Sequence, residues 1–240
     1  MRFLITRPKL DADALAKQLQ ALGHTSWLSP VMEVICHETQ APDADDCSGL
    51  VITSRNALRC LEHHNNLAPF HDLPLFAVGK SSAAAAKRRG FTNIYQAAGR
   101  GETIPPLIAE YLNADSCAPL YYPGGKQKAF DLTPVLQEMG FELVEQIVYE
   151  TKLGSSLAPE IIEVLKSSDI DGVLLLSPRT AELFADLIRK YKLQDCLATV
   201  SCLCLSQNVA SAIEDLHWRQ TLIAPHPDID DLLDLIKQLD

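Results

Sequence analysis

LVITSRNALRCL (50–61) and VLLLSPRTAELF (173–184) are two similar stretches of this chain, and together they decide the fold. Each begins with a short apolar run, continues with a serine and ends in a helix-like pattern. Ser54 aligns with Ser177, and a serine at this place is a favoured N-cap, so the first stretch predicts a helix over 55–64. Strands followed directly by helices are typical of parallel α/β sheets covered on both faces.

The rest of the chain repeats in the same way. LPLFAVGKSSAAAAKRRGF (73–91) resembles LCLSQNVASAIEDLHW (203–218), and FLITRPKLDADALAKQLQALGH (3–24) resembles LYYPGGKQKAFDLTPVLQEMGF (120–141). The sequence therefore contains an internal repeat over most of its length, which predicts two similar α/β halves. Polar, acidic breaks at 37–48 and 152–159 are the candidate linkers. A cleft between two such halves is a favoured place for a small-molecule site.

Size and charge narrow the class of protein. A chain of 240 residues has room for one large or two small domains. Its net charge of −10 argues against general nucleic-acid binding. The start lacks the pattern of a signal peptide, and no apolar run approaches the ~20 residues that span a bilayer. We expect a soluble cytoplasmic protein, and no sequence feature suggests more than a monomer.

The seven cysteines are scattered, and none forms a C-x-x-C pair. Cys202 and Cys204 alternate within an apolar run and should share one face of a strand. Metal or redox chemistry is one interpretation, whereas buried free thiols in a reducing cytosol are the plainer expectation. The histidines lack metal-binding spacing, so no metal site is predicted.

Cations follow most of the predicted strands. Ligands of parallel α/β sheets bind at the carboxyl ends of the strands, where helix N-termini also offer backbone N–H groups. Five of six main strand-to-helix turns carry Lys or Arg, and only the turn at 206–208 has none. The cations are Arg7 with Lys9, Arg55, Lys80, Lys126 with Lys128, and Arg179. This bias predicts a site for an acidic, multiply carboxylated ligand, unless the cations are merely solvated.

Tyr149 is the candidate for acid–base chemistry. It lies in IVYET (147–151), next to a proposed linker and therefore near the predicted cleft. A phenol there could donate a hydrogen bond or a proton to a ligand. The alternative is a half-buried strand tyrosine with no chemical role.

Several stretches together resemble the uroporphyrinogen-III synthase family, and the resemblance covers nearly the whole chain. Their order and spacing are more specific than any one of them. They are LITRP (4–8), DADALAKQLQALG (11–23), PVMEV (30–34), TSRNAL (53–58), AVGKSSA (77–83), VYET (148–151) and LLSPRTA (175–181). Two turns depart from the family pattern: Pro123-Gly124 with Lys128 stands where Arg-Gly and a later Arg are usual, and Ser206-Gln207-Asn208 replaces a glycine-containing turn.

The resemblance implies two flavodoxin-like domains with parallel sheets, related by the internal repeat and joined by a two-stranded connection. The first would be discontinuous, residues 1–36 plus 152–240, and the second would be 37–151, with the active site in the cleft. It also implies a cofactor-independent lyase of haem biosynthesis, which cyclises the linear tetrapyrrole hydroxymethylbilane to uroporphyrinogen III. In that reaction water is lost and the terminal pyrrole is inverted. The resemblance further implies hydroxymethylbilane synthase as a partner that this protein contacts transiently.

The resemblance assigns roles residue by residue. Tyr149 matches the tyrosine that assists loss of the hydroxyl, and the turns match the segments that hold the eight substrate carboxylates. The implied substrate-binding residues are Arg7, Thr53, Ser54, Arg55, Gly79, Lys80, Ser81, Ser82, Gly124, Lys128, Ser177, Pro178 and Arg179. A different class remains open: a non-catalytic two-domain clamp that binds an acidic metabolite.

Overall fold

A computed structural model describes residues 1–239 as strands alternating with helices. The strands are β1 (Arg2–Ile5), β2 (Thr25–Leu28), β3 (Met32–Cys36), β4 (Gly49–Ile52), β5 (Leu75–Ala77), β6 (Ile94–Gln96), β7 (Leu120–Gly125), β8 (Leu143–Leu153), β9 (Gly172–Leu175), β10 (Ser201–Cys204) and β11 (Gln220–Ile223). The helices are α1 (Lys9–Ala21), α2 (Arg55–His64), α3 (Lys80–Lys87), α4 (Ile104–Tyr111), α5 (Leu132–Glu138), α6 (Pro159–Lys166), α7 (Pro178–Lys190), α8 (Gln207–Ser211) and α9 (Ile229–Asp234).

Contacts divide the chain into two compact units. Unit 1 comprises residues 1–33 and those from Lys152 onward, and unit 2 comprises residues 34–151. The predicted division instead placed the first boundary after residue 36. The chain crosses from one unit to the other within β3 and within β8, which are neighbours in one sheet. The first break therefore falls inside β3 rather than in the polar segment 37–48, and the second falls inside β8 between Thr151 and Lys152, the position at which the predicted division also placed it.

Unit 1 is built on a five-stranded sheet in the order β11-β10-β9-β1-β2, in which every neighbouring pair is parallel. Its side chains alternate between two cores. Leu4 packs on one face with helix residues such as Phe184, whereas Phe3 and Ile5 pack on the other face with residues of α1 such as Leu15. Full burial of each such side chain contributes about 1.5–3 kcal/mol. The prediction of a parallel sheet covered on both faces is confirmed here.

Unit 2 is built on a six-stranded sheet in the order β3-β8-β7-β4-β5-β6. The pairs β8/β7, β7/β4, β4/β5 and β5/β6 are parallel. Tyr121 belongs to the core on one face, and Leu120 and Tyr122 belong to the core on the other. The strands β4, β5 and β7 are therefore buried on both sides, which accounts for their short and largely apolar sequences.

In each sheet, strands that follow one another in the chain are added on opposite sides of one adjacent pair, so that the chain order reverses at this pair, which is β4/β7 in unit 2 and β1/β9 in unit 1. In unit 2, β4 is followed by β5 and β6 on one side, whereas β7 and β8 lie on the other side. In unit 1, β2 follows on one side of β1, and β9, β10 and β11 follow on the other. Such reversals leave a crevice at the carboxyl ends of the two central strands, where ligands of α/β sheets bind. The fold thus marks β4/β7 and β1/β9 as the places to look for a site.

Helix boundaries follow the local signals where those are strong. Ser54 caps α2 by accepting a hydrogen bond from the backbone N–H of Asn56, at 3.1 Å, and Ser177 does the same for Thr180 at 3.2 Å. Gly23 ends α1 with a φ of +82°, a conformation that favours glycine. The helix α8 is short and ends at Ser211, and single turns follow it. The helix α6 was not predicted.

The expectation of free thiols throughout is wrong for two cysteines. Cys36 and Cys60 form a disulfide between β3 and α2. Their Cα atoms lie 5.1 Å apart, a separation that a disulfide spans. The 24-residue spacing carries no sequence signal for this pairing. Cys202 and Cys204 are free and buried on one face of β10, as the alternation predicted.

Opening the Cys36–Cys60 disulfide is expected to lower the free energy of unfolding by about 3 kcal/mol, because a cross-link across a loop of this length restricts the unfolded chain. Urea unfolding followed by circular dichroism, with and without dithiothreitol, measures the change. The double variant Cys36→Ser/Cys60→Ser should match the reduced wild type and ignore the reductant. Cys117→Ser, outside the disulfide, should keep the wild-type response. Equal stability with and without reductant would mean that the two thiols are not bonded in solution.

Within residues 1–239, the structure supports neither a membrane-spanning helix nor a metal site. None of the described helices has the length and apolar character needed to cross a membrane. The same residues contain no group of three or more His, Cys, Asp or Glu side chains that could hold a metal ion.

Candidate functional site

A cavity of about 490 Å³ opens in unit 2 at the carboxyl ends of its strands. It lies where β4 and β7 meet, the place at which the chain order reverses. Thr53 and Ser54 follow β4, Val78 follows β5, and Tyr122 and Gly125 belong to β7. The remaining lining residues are Gly99, Arg100, Gly101, Glu102, Gln127, Lys128, Ala129, Phe130 and Tyr149. Its size is that of a small-molecule site.

Tyr149 lies across the backbone of β7. It is half-buried in β8, and Gly125 is its partner in the neighbouring strand. A Cβ atom added to Gly125 would lie 2.6 Å from Tyr149 Cζ and 2.8 Å from its hydroxyl oxygen. The phenol therefore occupies the space that a side chain at position 125 would fill. The absence of that side chain allows Tyr149 to reach the cavity.

A second phenol, that of Tyr122, forms part of the cavity wall. Its hydroxyl lies 3.4 Å from Thr53 Oγ1, so the two hydroxyls can share a hydrogen bond. Burial raises the pKa of Tyr122 above the ordinary value, since it disfavours the phenolate. At neutral pH the cavity therefore holds a protonated hydroxyl beside Tyr149.

Lys128 is ion-paired with carboxylates of its own unit. Its Nζ forms ion pairs with Glu145 and with Asp131, the latter at 3.6 Å. Glu145 also accepts a hydrogen bond from Thr133 Oγ1 at 2.9 Å. Burial lowers the pKa of Lys128, but the hydrogen bond and the negative charge of Glu145 outweigh this effect and raise the pKa above its ordinary value. Lys128 lines the cavity as a positive charge that is already neutralised.

The loop after β6 forms another side of the cavity. Gly99, with a φ of +93°, donates its N–H to the carbonyl oxygen of Val78 at 2.7 Å. Gly79 fits closely against it, since a Cβ atom on Gly79 would lie 3.1 Å from Gly99 Cα. Arg100 follows and is exposed. No sequence motif pointed to this loop, because the three-residue strand before it is a weak signal.

Of the residues predicted from the sequence, the cavity brings together Thr53, Ser54, Lys128 and Tyr149. Six others in unit 2 do not line it: Arg55, Gly79, Lys80, Ser81, Ser82 and Gly124. Gly79 supports the loop that does. Lys80 lines a separate groove with Lys87, because both lie on one face of α3 beside β6.

The remaining predicted residues lie in unit 1, at the carboxyl ends of β1 and β9. Arg7 forms an ion pair with Asp11 at 3.2 Å, and its side chain is mostly covered. Ser177 and Pro178 begin α7, where the Ser177 hydroxyl caps the helix. Arg179 is well exposed, and its Nη1 lies 4.0 Å from a carboxylate oxygen of Glu182. These four residues also lie where the chain order of their own sheet reverses.

The family model described as Uroporphyrinogen-III synthase HemD matches residues 13–234. The chain belongs to this family. The resemblance seen in the sequence motifs is thereby confirmed, and with it the enzyme class: a cyclising lyase of haem biosynthesis. Nothing found supports the alternative of a non-catalytic clamp.

Solved structures of the family have the same fold. The uroporphyrinogen-III synthetase of Helicobacter pylori matches with a TM-score of 0.61 and 17% identity, over 100% of both chains. A mutant uroporphyrinogen III synthase of the extremely thermophilic bacterium Thermus thermophilus matches with a TM-score of 0.54 and 17% identity, over 100% of this chain and 98% of that one. A search of curated proteins finds no match. At this identity the structural likeness shows the fold alone.

Proposed function

We propose that the cavity of unit 2 holds part of hydroxymethylbilane while the enzyme removes its hydroxyl and closes the ring to uroporphyrinogen III. One observation carries the proposal. Thr53, Ser54, Lys128 and Tyr149, which come from three separate segments of the chain, all line one cavity at a reversal of chain order. Ligands of α/β sheets bind at such places.

Tyr149 has the chemistry that the first step needs. A hydroxyl leaves as water only when it gains a proton, and a positioned phenol can supply one. The aromatic ring lies against glycine backbone, so its hydroxyl is held rather than free to turn away. The substituted carbon that attacks carries no hydrogen, so the balancing proton leaves the unsubstituted carbon of the terminal pyrrole when that carbon forms the last ring bond; this proton returns the phenol to its starting state. The same residue can therefore serve both transfers without a cofactor.

The second requirement is control of shape. In water the bilane closes without inversion, so the enzyme must hold the terminal pyrrole where its substituted carbon attacks. The polar groups of Thr53, Ser54 and Tyr122 can orient the substrate. The apolar side chains of Val78 and Phe130 help to exclude water from the reactive cation.

Product analysis tests the function. Hydroxymethylbilane is generated with its synthase, this protein is added, and the oxidised porphyrins are separated by chromatography. Isomer III as the main product is the expected result, because only catalysed closure inverts the terminal ring. Isomer I alone, formed at the spontaneous rate in the presence of folded protein, would refute the proposal.

Arg179→Glu is expected to raise KM for the bilane about tenfold with little change in kcat. A carboxylate held equally in the ground and transition states contributes to binding and not to turnover. Arg179 is exposed and only loosely paired, so the substitution should leave the fold intact. Lys166→Glu, on the exposed surface of α6, is the matched control and should keep wild-type constants. A fall in kcat with constant KM would mean that Arg179 acts in the chemistry.

We further propose that the two units are domains that arose by duplication. The aligned strand pairs β1/β7, β9/β4 and β10/β5 occupy corresponding positions in the two sheet orders, β2-β1-β9-β10-β11 and β8-β7-β4-β5-β6. The first order is that of flavodoxin, and the second is a circular permutation of it. The two strands that cross the unit boundary support the predicted two-stranded connection. A cytoplasmic monomer that briefly contacts hydroxymethylbilane synthase completes the proposal.

A further inference from the structure

Arg100 is a cation that the sequence motifs did not single out, and it lines the cavity of unit 2. Its side chain is exposed to solvent. Within residues 1–239, the guanidinium has no ion pair and no side-chain hydrogen bond. A guanidinium presents a planar set of donors that matches a carboxylate in two-point contact. Arg100 therefore has its full donor capacity available to a ligand.

The backbone that carries Arg100 is held in place. Its carbonyl oxygen accepts hydrogen bonds from the Oγ1 of Thr103 at 2.6 Å and from the N–H of Thr103 at 3.2 Å. At the next residue, a Cβ atom added to Gly101 would lie 2.8 Å from Phe130 Cβ, so the loop packs directly against Phe130, which also lines the cavity. The side chain thus starts from a fixed point at the cavity rim.

Arg100 differs from the lysines Lys126 and Lys128, which are paired with carboxylates. Lys128 is neutralised by Glu145 and Asp131, and Lys80 lies in another groove. Lys126, beyond the end of β7, is paired with Glu150 at 3.1 Å. Glu102 is the carboxylate among the lining residues, and it forms no ion pair with Arg100. In a chain of net charge −10, Arg100 is the available positive charge of this cavity among the residues that the structure describes.

We infer that Arg100 binds a carboxylate of the substrate and thereby determines the preference of this cavity for polycarboxylated ligands. The inference rests on the proposed function, since it assigns one part of the same site. Arg100 contributes to affinity in the ground and transition states alike. It acts in place of Lys128, which the sequence motifs favoured for this role.

The experiment compares Arg100→Gln with Arg88→Gln. Arg88 is also an exposed arginine without an ion pair, but it lies outside the cavity at the end of α3. The expected result for Arg100→Gln is a KM about tenfold higher with kcat within about twofold, as for loss of one charged hydrogen bond. Arg88→Gln should match the wild type. Glu102→Gln, which removes a repulsive charge, should lower KM.

A second readout does not depend on turnover. Uroporphyrin III, an octacarboxylic porphyrin, is titrated against each variant at low and high salt, and its fluorescence reports binding. Arg100→Gln should bind the probe about tenfold more weakly and show a smaller salt dependence. If Arg100→Gln matches Arg88→Gln in both KM and probe affinity, the inference fails even though wild-type production of isomer III upholds the function. If no isomer III forms but probe binding still depends on Arg100, the function fails and the carboxylate site stands.

Discussion

Tyr149→Phe is expected to lower kcat about a hundredfold or more while KM changes little. The substitution removes one hydroxyl and leaves the aromatic ring, which packs against Gly125 and the core of unit 2. Loss of a proton donor that acts only in the transition state reduces turnover and not substrate binding. Initial rates of isomer III formation over a range of bilane concentrations separate the two constants.

Tyr111→Phe is the matched control, because Tyr111 is a tyrosine with 48% of its surface exposed that lies outside the cavity. Its rates should equal those of the wild type. Thermal unfolding of both variants should also match the wild type, which would show that no fold defect lowers the rate. A Tyr149→Phe enzyme within about twofold of wild type would remove Tyr149 from the mechanism.

Gly125→Ala is expected to reduce kcat as strongly as loss of the Tyr149 hydroxyl. The new methyl group would lie 2.6 Å from Tyr149 Cζ, closer than non-bonded atoms approach, so the phenol must move away. Gly125 is buried, and repacking around the extra carbon also costs about 1–3 kcal/mol of folding free energy. Steady-state kinetics and urea unfolding measure the two effects separately.

The adjacent glycine supplies the control for this substitution. A Cβ atom on Gly124 would meet Tyr122 Cζ at 3.5 Å, an ordinary van der Waals contact. Gly124→Ala should therefore keep most of the activity. Equal activity of the two alanine variants would show that the position of the Tyr149 ring does not control turnover.

Local signals predicted those parts of the fold that neighbouring residues determine. Ser54 and Ser177 predicted the starts of helices, because a serine that caps a helix accepts a hydrogen bond from a residue at most three positions further along the chain. The end of α1 at Gly23 is likewise a local feature, because the positive φ belongs to one residue. The order of the strands depends on pairings between distant segments, so the motifs indicated a parallel sheet without giving its order. The Cys36–Cys60 disulfide was missed for the same reason.

Some residues that line the cavity were predicted from the sequence. Residues that directly follow a strong apolar strand, such as Thr53 and Ser54, were found because the carboxyl ends of parallel strands share one edge. Lys80 follows β5 in the same way, but the phase of α3 turns it toward Lys87 and away from the cavity. Arg100 follows β6, whose three residues are too few to show alternation. The proposed role of Arg100 depends on the ion pairs of Lys126 and Lys128, which the sequence does not show.

Residues 34–151 form an insertion whose entry and exit are adjacent. The chain enters this segment through β3 and leaves through β8, and these strands are neighbours in its sheet. A segment with neighbouring ends can be gained or lost by a host fold without long new connections. We expect that a fragment with β3 and β8 as its termini folds when it is expressed on its own. Such a fragment would carry Arg100, Tyr122 and Tyr149 on one short polypeptide.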